Sequence, residues 1–182
     1  MRVTTTRLDG PLLFTPEPHH DERGLFTRTF DADDARAAGL DPDAFRQDSQ
    51  SRSLEGVVRG LHGRVGGGEA KLVRVAHGAV LDVVVDARPG SPTFGEVETF
   101  RLDDTDFVTL YVPRGFLHGH QTLTPTADVC YRIDAPHDPA EDVGVHYLDP
   151  DLAIAWPAPV TIVSERDRAA GSWAELVARL TA

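Results

Sequence analysis

The sequence predicts a mainly β fold, a sandwich or barrel of short strands with short helices confined to its periphery. Three observations predict it. Apolar and β-branched runs recur at roughly 8–12 residue spacing between turn signals, the pattern of an all-β sandwich or barrel. Helix signals occur only towards the two ends of the chain. A length of 182 residues with 41% hydrophobic residues suffices to close one core without disulfides, and the lone Cys130 offers no disulfide framework.

The elements follow in order. Asp31 is placed to cap a short helix running through Ala38, which Gly39 stops. Residues 71–76 (KLVRVA) and 79–87 (AVLDVVVDA) read as strands, and His77-Gly78 between them suits a tight hairpin. Residues 94–102 (FGEVETFRL) alternate apolar and polar side chains. Asp103-Asp104-Thr105-Asp106 is a turn cluster, followed by a strand over 107–112 (FVTLYV). Pro113-Arg114-Gly115 turns the chain, and 116–123 with 127–133 read as a hairpin pair. Residues 134–160, with prolines at 136, 139, 150, 157 and 159, are expected to wrap the sheets as irregular structure. Ser172-Trp173-Ala174-Glu175 is a capping box before a C-terminal helix. No internal repeat divides the chain, so residues 1–182 read as one domain.

Eighteen Lys and Arg against 29 Asp and Glu give a formal net charge of −11. Phosphate backbones need a basic face, so the composition argues against a nucleic-acid partner. No apolar run approaches the ~20 residues of a membrane helix. The N-terminal MRVTTTRLDGPLLF has no apolar signal-peptide core, and a cytoplasmic protein without a membrane partner is expected. Among the 18 basic residues only Lys71 is a lysine. The two side chains differ wherever a compact point charge or a titratable donor is needed.

Arg59, His62, Lys71, His118, His120 and Tyr131 lie in or beside segments that otherwise read as core strands. Burying such groups unpaired is costly. On strands whose side chains alternate inward and outward, six of them point to the lining of one cavity. Two chemistries fit. A metal site would draw on His62, Glu69 and His118, with His118-Gly119-His120 as an H-x-H on one strand. Proton transfer without a metal needs a base, an acid on the opposite face and cationic donors for an enolate oxygen. Imidazole is a base near neutrality, which suits His62. Tyr131 suits the acid, and Lys71 and Arg59 suit the oxyanion. A carboxylate holding His62 in one tautomer would complete the set.

The motifs fall in a distinctive order. They run Asp21-Glu-Arg23-Gly24-Leu-Phe26, Gln47-Asp48-Ser49-Gln-Ser51, Arg59-Gly-Leu-His62 and Ala70-Lys71-Leu-Val. Then come Asp82-Val-Val-Val-Asp86-Ala-Arg88 with Ser91-Pro-Thr-Phe-Gly95, and Val112-Pro-Arg-Gly-Phe-Leu-His118-Gly119. Tyr131-Arg132, Asp149 through Trp156-Pro157, and Ser164-Glu-Arg-Asp167 complete the series. In this order the chain resembles the dTDP-4-dehydrorhamnose 3,5-epimerase family. The resemblance implies a cupin-type jelly roll, a homodimer and no cofactor or metal. It implies epimerisation of a dTDP-linked 4-keto-6-deoxysugar at carbon 3, carbon 5 or both, in deoxysugar biosynthesis.

Carried over by position, His62 is the base and Asp167 its orienting carboxylate. Tyr131 is the acid, Lys71 with Arg59 stabilises the enolate, and His118 lines the sugar pocket. Arg23, Phe26, Gln47, Ser49, Arg59 and His137 fall at substrate-binding positions, with the N-terminal strand crossing to the partner subunit. Five places depart from the family pattern: Arg28 replaces a Glu, Ser49 an Asn, Gly63-Arg64 a Tyr-Gln pair, His120 an aromatic and His137 a Tyr. A member that binds the sugar nucleotide without turnover, and a metal-dependent cupin using His62, His118 and His120, are the alternative expectations.

Overall fold

Thirteen strands, three short α-helices and one 3-10 turn (Pro42–Ala44) make up the computed structural model, which describes residues 1–182. β1 (Arg2–Thr5) and β2 (Leu12–Thr15) form one hairpin, and β3 (His19–Asp21) and β4 (Gly24–Phe26) a second. After α1 (Ala32–Ala37) come β5 (Gln47–Leu54), β6 (Val58–Arg64), β7 (Lys71–His77) and β8 (Ala79–Asp86). Then follow β9 (Val97–Asp103), β10 (Thr109–Val112), β11 (Phe116–Thr122), β12 (Thr126–Ile133) and β13 (Asp142–Gly144). α2 (Glu165–Arg168) and α3 (Trp173–Thr181) close the chain. A six-stranded sheet has the order β1-β2-β10-β7-β12-β5, and a five-stranded sheet the order β13-β6-β11-β8-β9. The mainly β, jelly-roll expectation holds. No helix is long and apolar enough to cross a membrane.

Burial explains the sequence of β8. Val80 and Val84 pack between the two sheets with Val73, Val75, Leu110 and Val129. Val83 and Val85, on the opposite face, pack with Leu61 and Leu117 under Trp173 and Leu176 of α3. Both faces are covered, so the strand reads as a continuous apolar run rather than an alternating one. Asp82 lies on the same face as Val80 and Val84, and is fully buried there.

The helix ends follow their signals. Asp31 accepts from the backbone N–H groups of Asp33 and Asp34 and caps α1. Ser172 and Glu175 form the reciprocal capping box of α3. Residues 134–160 are mostly irregular, and β13 within them extends the edge of the five-stranded sheet.

Both expected hairpins are corrected. β7 pairs with β10 and β12, whereas β8 pairs with β11 and β9, so Gly78 carries the chain from one sheet to the other. β11 and β12 likewise lie in different sheets. A tight turn between two apolar runs is common to a hairpin and to a sheet-switching corner. Here the inward faces of β7 and β8 meet across the core, where Val73 and Val75 share one cluster with Val80 and Val84.

The Ser91-Pro-Thr-Phe-Gly95 motif serves the fold. Asp86 is fully buried and accepts from Arg88 Nη2 at 2.7 Å and Thr93 Oγ1 at 2.7 Å, and from the Ser91 hydroxyl. Burial pushes its carboxyl up, but these donors outweigh burial and hold it at about 2, against 3.8 ordinarily. The folded value lies below the unfolded one. The stabilisation is therefore complete above about pH 4 and is lost as the pH falls towards 2, amounting to about 2 kcal/mol. We expect the stability gap between wild type and Asp86→Asn to narrow across that window in chemical denaturation. A gap independent of pH would contradict the assignment.

Candidate active site

All six polar residues singled out in the strand region line one cavity of about 540 Å³, between the sheets. Its five-stranded wall carries Arg59 and His62 from β6 and His118 and His120 from β11. His62 stands opposite His118, and Arg59 opposite His120, with a bulge between. The six-stranded wall carries Lys71 from β7 and Tyr131 from β12. Asp167, from α2, closes the cavity behind His62.

Two glycines let β6 and β11 approach this closely. A Cβ on Gly119 would lie 2.8 Å from the Arg59 carbonyl oxygen. One on Gly60, at φ +123°, would lie 2.7 Å from Gly119 Cα. Only hydrogen fits at either place.

Each charged side chain has its own partner. His62 Nε2 is 2.6 Å from Asp167 Oδ1, while Asp167 Oδ2 accepts the Gly60 N–H at 3.2 Å. The His62 side chain is 39% exposed and that of Asp167 only 5%, so the ring faces the cavity with its carboxylate behind it. Burial pushes the Asp167 carboxyl up. The bonds from His62 and Gly60 outweigh burial and keep it below its ordinary value. His118 Nε2 lies 2.9 and 3.0 Å from the two oxygens of Asp82. Its ring meets Tyr131 edge-on, with centroids 6.2 Å apart. His120 Nδ1 is 3.5 Å from the Tyr131 hydroxyl. Burial, with His118, Arg59 and His62 nearby, pushes His120 down to about 3, so its ring is neutral. Burial pushes the Tyr131 phenol up, which keeps its proton in place near neutrality. Lys71 Nζ is 2.9 Å from Glu69 Oε1, and Arg59 Nε donates to Ser53 Oγ at 2.9 Å.

The metal-type ligand set does not converge. His62 is occupied by Asp167, His118 by Asp82 and Glu69 by Lys71 and Arg64. No three His, Cys, Asp or Glu side chains come together as ligands.

This geometry coincides with a family. The family model described as dTDP-4-dehydrorhamnose 3,5-epimerase matches residues 5–175. The chain belongs to the dTDP-4-dehydrorhamnose 3,5-epimerase family. It is 39% identical over 170 residues to the dTDP-4-dehydrorhamnose 3,5-epimerase of Methanothermobacter thermautotrophicus, covering 92% of this chain and 91% of that one. It is 42% identical over 169 residues to the dTDP-4-dehydrorhamnose 3-epimerase of Streptomyces niveus, covering 92% and 82%. The solved 4-keto-6-deoxy sugar epimerase from the novobiocin cluster of Streptomyces spheroides superposes with a TM-score of 0.94. Its identity is 42%, with coverage of 99% of this chain and 92% of that one. The epimerase of Legionella pneumophila, solved with dTDP-4-keto-L-rhamnose, gives a TM-score of 0.89 at 38% identity, covering 96% of each chain.

Against the family pattern, the expected substrate-binding residues divide. Arg59 and His118 line the cavity. Gln47 and Ser49 lie on β5, opposite Ile133 and Tyr131, in the same cross-strand rows as Lys71 and Val73. Arg23 and Phe26 do not reach the cavity of their own chain. They sit on the exposed β3–β4 hairpin, where Arg23 pairs with Asp21. His137 is also outside the cavity lining, because Arg64 Nη2 holds its Nδ1 at 2.8 Å.

Sequence reasoning missed Asp82 as the partner of His118, Glu69 as the partner of Lys71, and Arg166 on the cavity wall. Asp82 had a signal: it is the one charged residue inside the apolar run 79–85.

Gly119→Ala tests the close approach of β6 and β11. The added methyl meets backbone rather than a flexible side chain, and overpacking of this kind costs about 1–3 kcal/mol. We expect a lowered denaturation midpoint; an unchanged one would mean that the strands can separate freely.

Proposed function

We propose that the protein is an epimerase of a dTDP-linked 4-keto-6-deoxyhexose, inverting carbon 3, carbon 5 or both. One observation carries the reading. The His62–Asp167 pair and the Tyr131 hydroxyl lie on facing walls of one cavity, with the Lys71 ammonium beside them. A planar enolate between those walls would meet a base on one face and an acid on the other.

In this mechanism His62 removes the proton from the carbon alpha to the ketone. The electron pair moves into the carbonyl, which becomes an enolate oxygen. Asp167 holds the imidazole in one orientation and stabilises the imidazolium that forms. Lys71 and Arg59 supply the cationic field for the oxyanion. Tyr131 then donates its proton to the opposite face of the same carbon. The high pKa of its buried phenol suits a group that must stay protonated until the enolate forms.

The reading includes a homodimer acting in the cytoplasm. Phe26 is 72% exposed on a hairpin away from its own cavity, which suits a residue that serves the partner's site with Arg23. Such an arrangement also reconciles a net charge of −11 with an anionic ligand, since few arginines need gather at the nucleotide.

The test is solvent exchange with dTDP-4-keto-6-deoxyglucose in deuterated water, followed at carbons 3 and 5 by NMR. Label at both carbons identifies a 3,5-epimerase, and label at one a mono-epimerase. Binding of dTDP with no label at either would overturn the reading. We expect His62→Asn to lower exchange by about 10²–10⁴-fold. Tyr131→Phe should keep exchange on the His62 side while blocking net inversion. Survival of inversion in that variant would remove Tyr131 from the acid role.

A further inference from the structure

We propose that Glu69 is a positioning residue for this reaction, holding the Lys71 ammonium in place on the cavity wall. The inference rests on the reading of Lys71 as the cation that meets the enolate. Glu69 and Lys71 are two residues apart at the start of β7, and Glu69 Oε1 lies 2.9 Å from Lys71 Nζ. The other oxygen of Glu69 lies 2.8 Å from Arg64 Nη1, at the far end of β6 on the opposite sheet. Arg64 Nε lies 3.4 Å from Asp142 Oδ1, and Asp142 Oδ2 accepts from Arg166 Nη2 at 2.9 Å. Arg166 adjoins Asp167, the partner of His62.

A string of alternating charge thus runs from Lys71 through Glu69, Arg64 and Asp142 to Arg166. It crosses the sandwich and ties the cation of one wall to the helix that holds the base of the other. The side chains of Arg64, Glu69, Lys71 and Asp142 are between 7 and 18% exposed. A lysine's four-carbon stem leaves a free ammonium many places to go. The contact with Glu69 restrains it. Three cations and two anions leave one positive charge in excess, which an enolate oxygen is suited to meet.

Other ionisable groups surround Lys71. Arg59, His62 and Arg64 come from β6, His118 and His120 from β11, Tyr131 from β12, and Arg166 and Asp167 from α2. Asp134 follows β12 and accepts the Ala70 N–H. Glu69 is the carboxylate in direct contact with the ammonium.

The chain's single lysine makes the test direct. Protein grown with side-chain-labelled lysine carries one labelled ammonium, whose titration NMR follows without substrate. We expect the titration midpoint of Lys71 to fall by about one unit or more in Glu69→Ala, because an opposite charge in contact is removed. Glu69→Gln keeps the shape and an acceptor oxygen, and should show a smaller ordering loss with a similar fall in midpoint. Glu69→Asp should restore much of it.

In solvent exchange we expect kcat to fall about tenfold or more in Glu69→Ala, with KM and dTDP affinity within about twofold. The alkaline limb of the rate should move with the NMR midpoint. If Glu69→Ala does not fold, Glu69→Gln carries the same comparison. A midpoint and rate profile superimposable on wild type would overturn the proposal. So would dTDP affinity falling in step with kcat while the midpoint stays fixed, the signature of a purely structural role. If wild type itself exchanges no label, the epimerase reading fails, while the NMR titration still reports on the Glu69–Lys71 pair.

Discussion

A charged side chain that faces the inside of a two-sheet sandwich must either keep contact with water or find a partner of opposite sign. This requirement organises the whole cavity end of the molecule. His62 is met by Asp167, His118 by Asp82, and Lys71 by Glu69. The partners come from α2, from β8 and from the turn before β7, so elements far apart in the chain are bound to one site. The rest of the interior can then be aliphatic, with Val73, Val75, Val80, Val84, Leu110 and Val129 filling the space between the sheets. Cavity polarity and core packing share the inward face of the same strands, Lys71 being followed by Val73 and Val75 on β7 and Val129 by Tyr131 on β12.

The same constraint separates three histidines by chemistry. His62 has a carboxylate behind it and an open face in front, the arrangement of a base. His118 is buried against a carboxylate and turns its edge to Tyr131, which fits it to shape the cavity. His120 is buried without a carboxylate of its own, remains neutral, and stands beside the Tyr131 hydroxyl. Residue type alone does not distinguish them; the distribution of anions does.

Much of the fold was legible in the sequence, because the signals were local. The cap at Asp31, the box at Ser172 and Glu175, and the apolar runs that became β7 to β12 all depend on residues within a few positions of one another. The two false hairpins failed because strand partnership is decided across the core, where β7 finds β10 and β12 rather than β8. The site was legible to the extent that polar residues interrupt apolar runs, as Arg59, His62, Lys71, His118, His120 and Tyr131 do. The partners were harder. Asp167 emerged only through the family pattern, and Glu69 was read as a metal ligand because a carboxylate near histidines has the same appearance in one dimension. Arg23 and Phe26 could not be joined to the cavity by any argument within one chain, since the hairpin that bears them lies elsewhere on it.

Two of the expected departures from the family pattern meet in the structure. Arg64 and His137, at two separate motif positions, bond to each other at 2.8 Å. Arginine can only donate, so His137 Nδ1 is the acceptor in this contact. Arg64 also reaches Glu69, and through it Lys71. The motif after His62 and the loop after β12 are thus joined to the cation of the cavity wall. Arg28 is likewise absorbed locally, paired at 2.6 Å with Asp31, the residue that caps α1. Replacing either Arg64 or His137 alone leaves the other without the 2.8 Å contact between them.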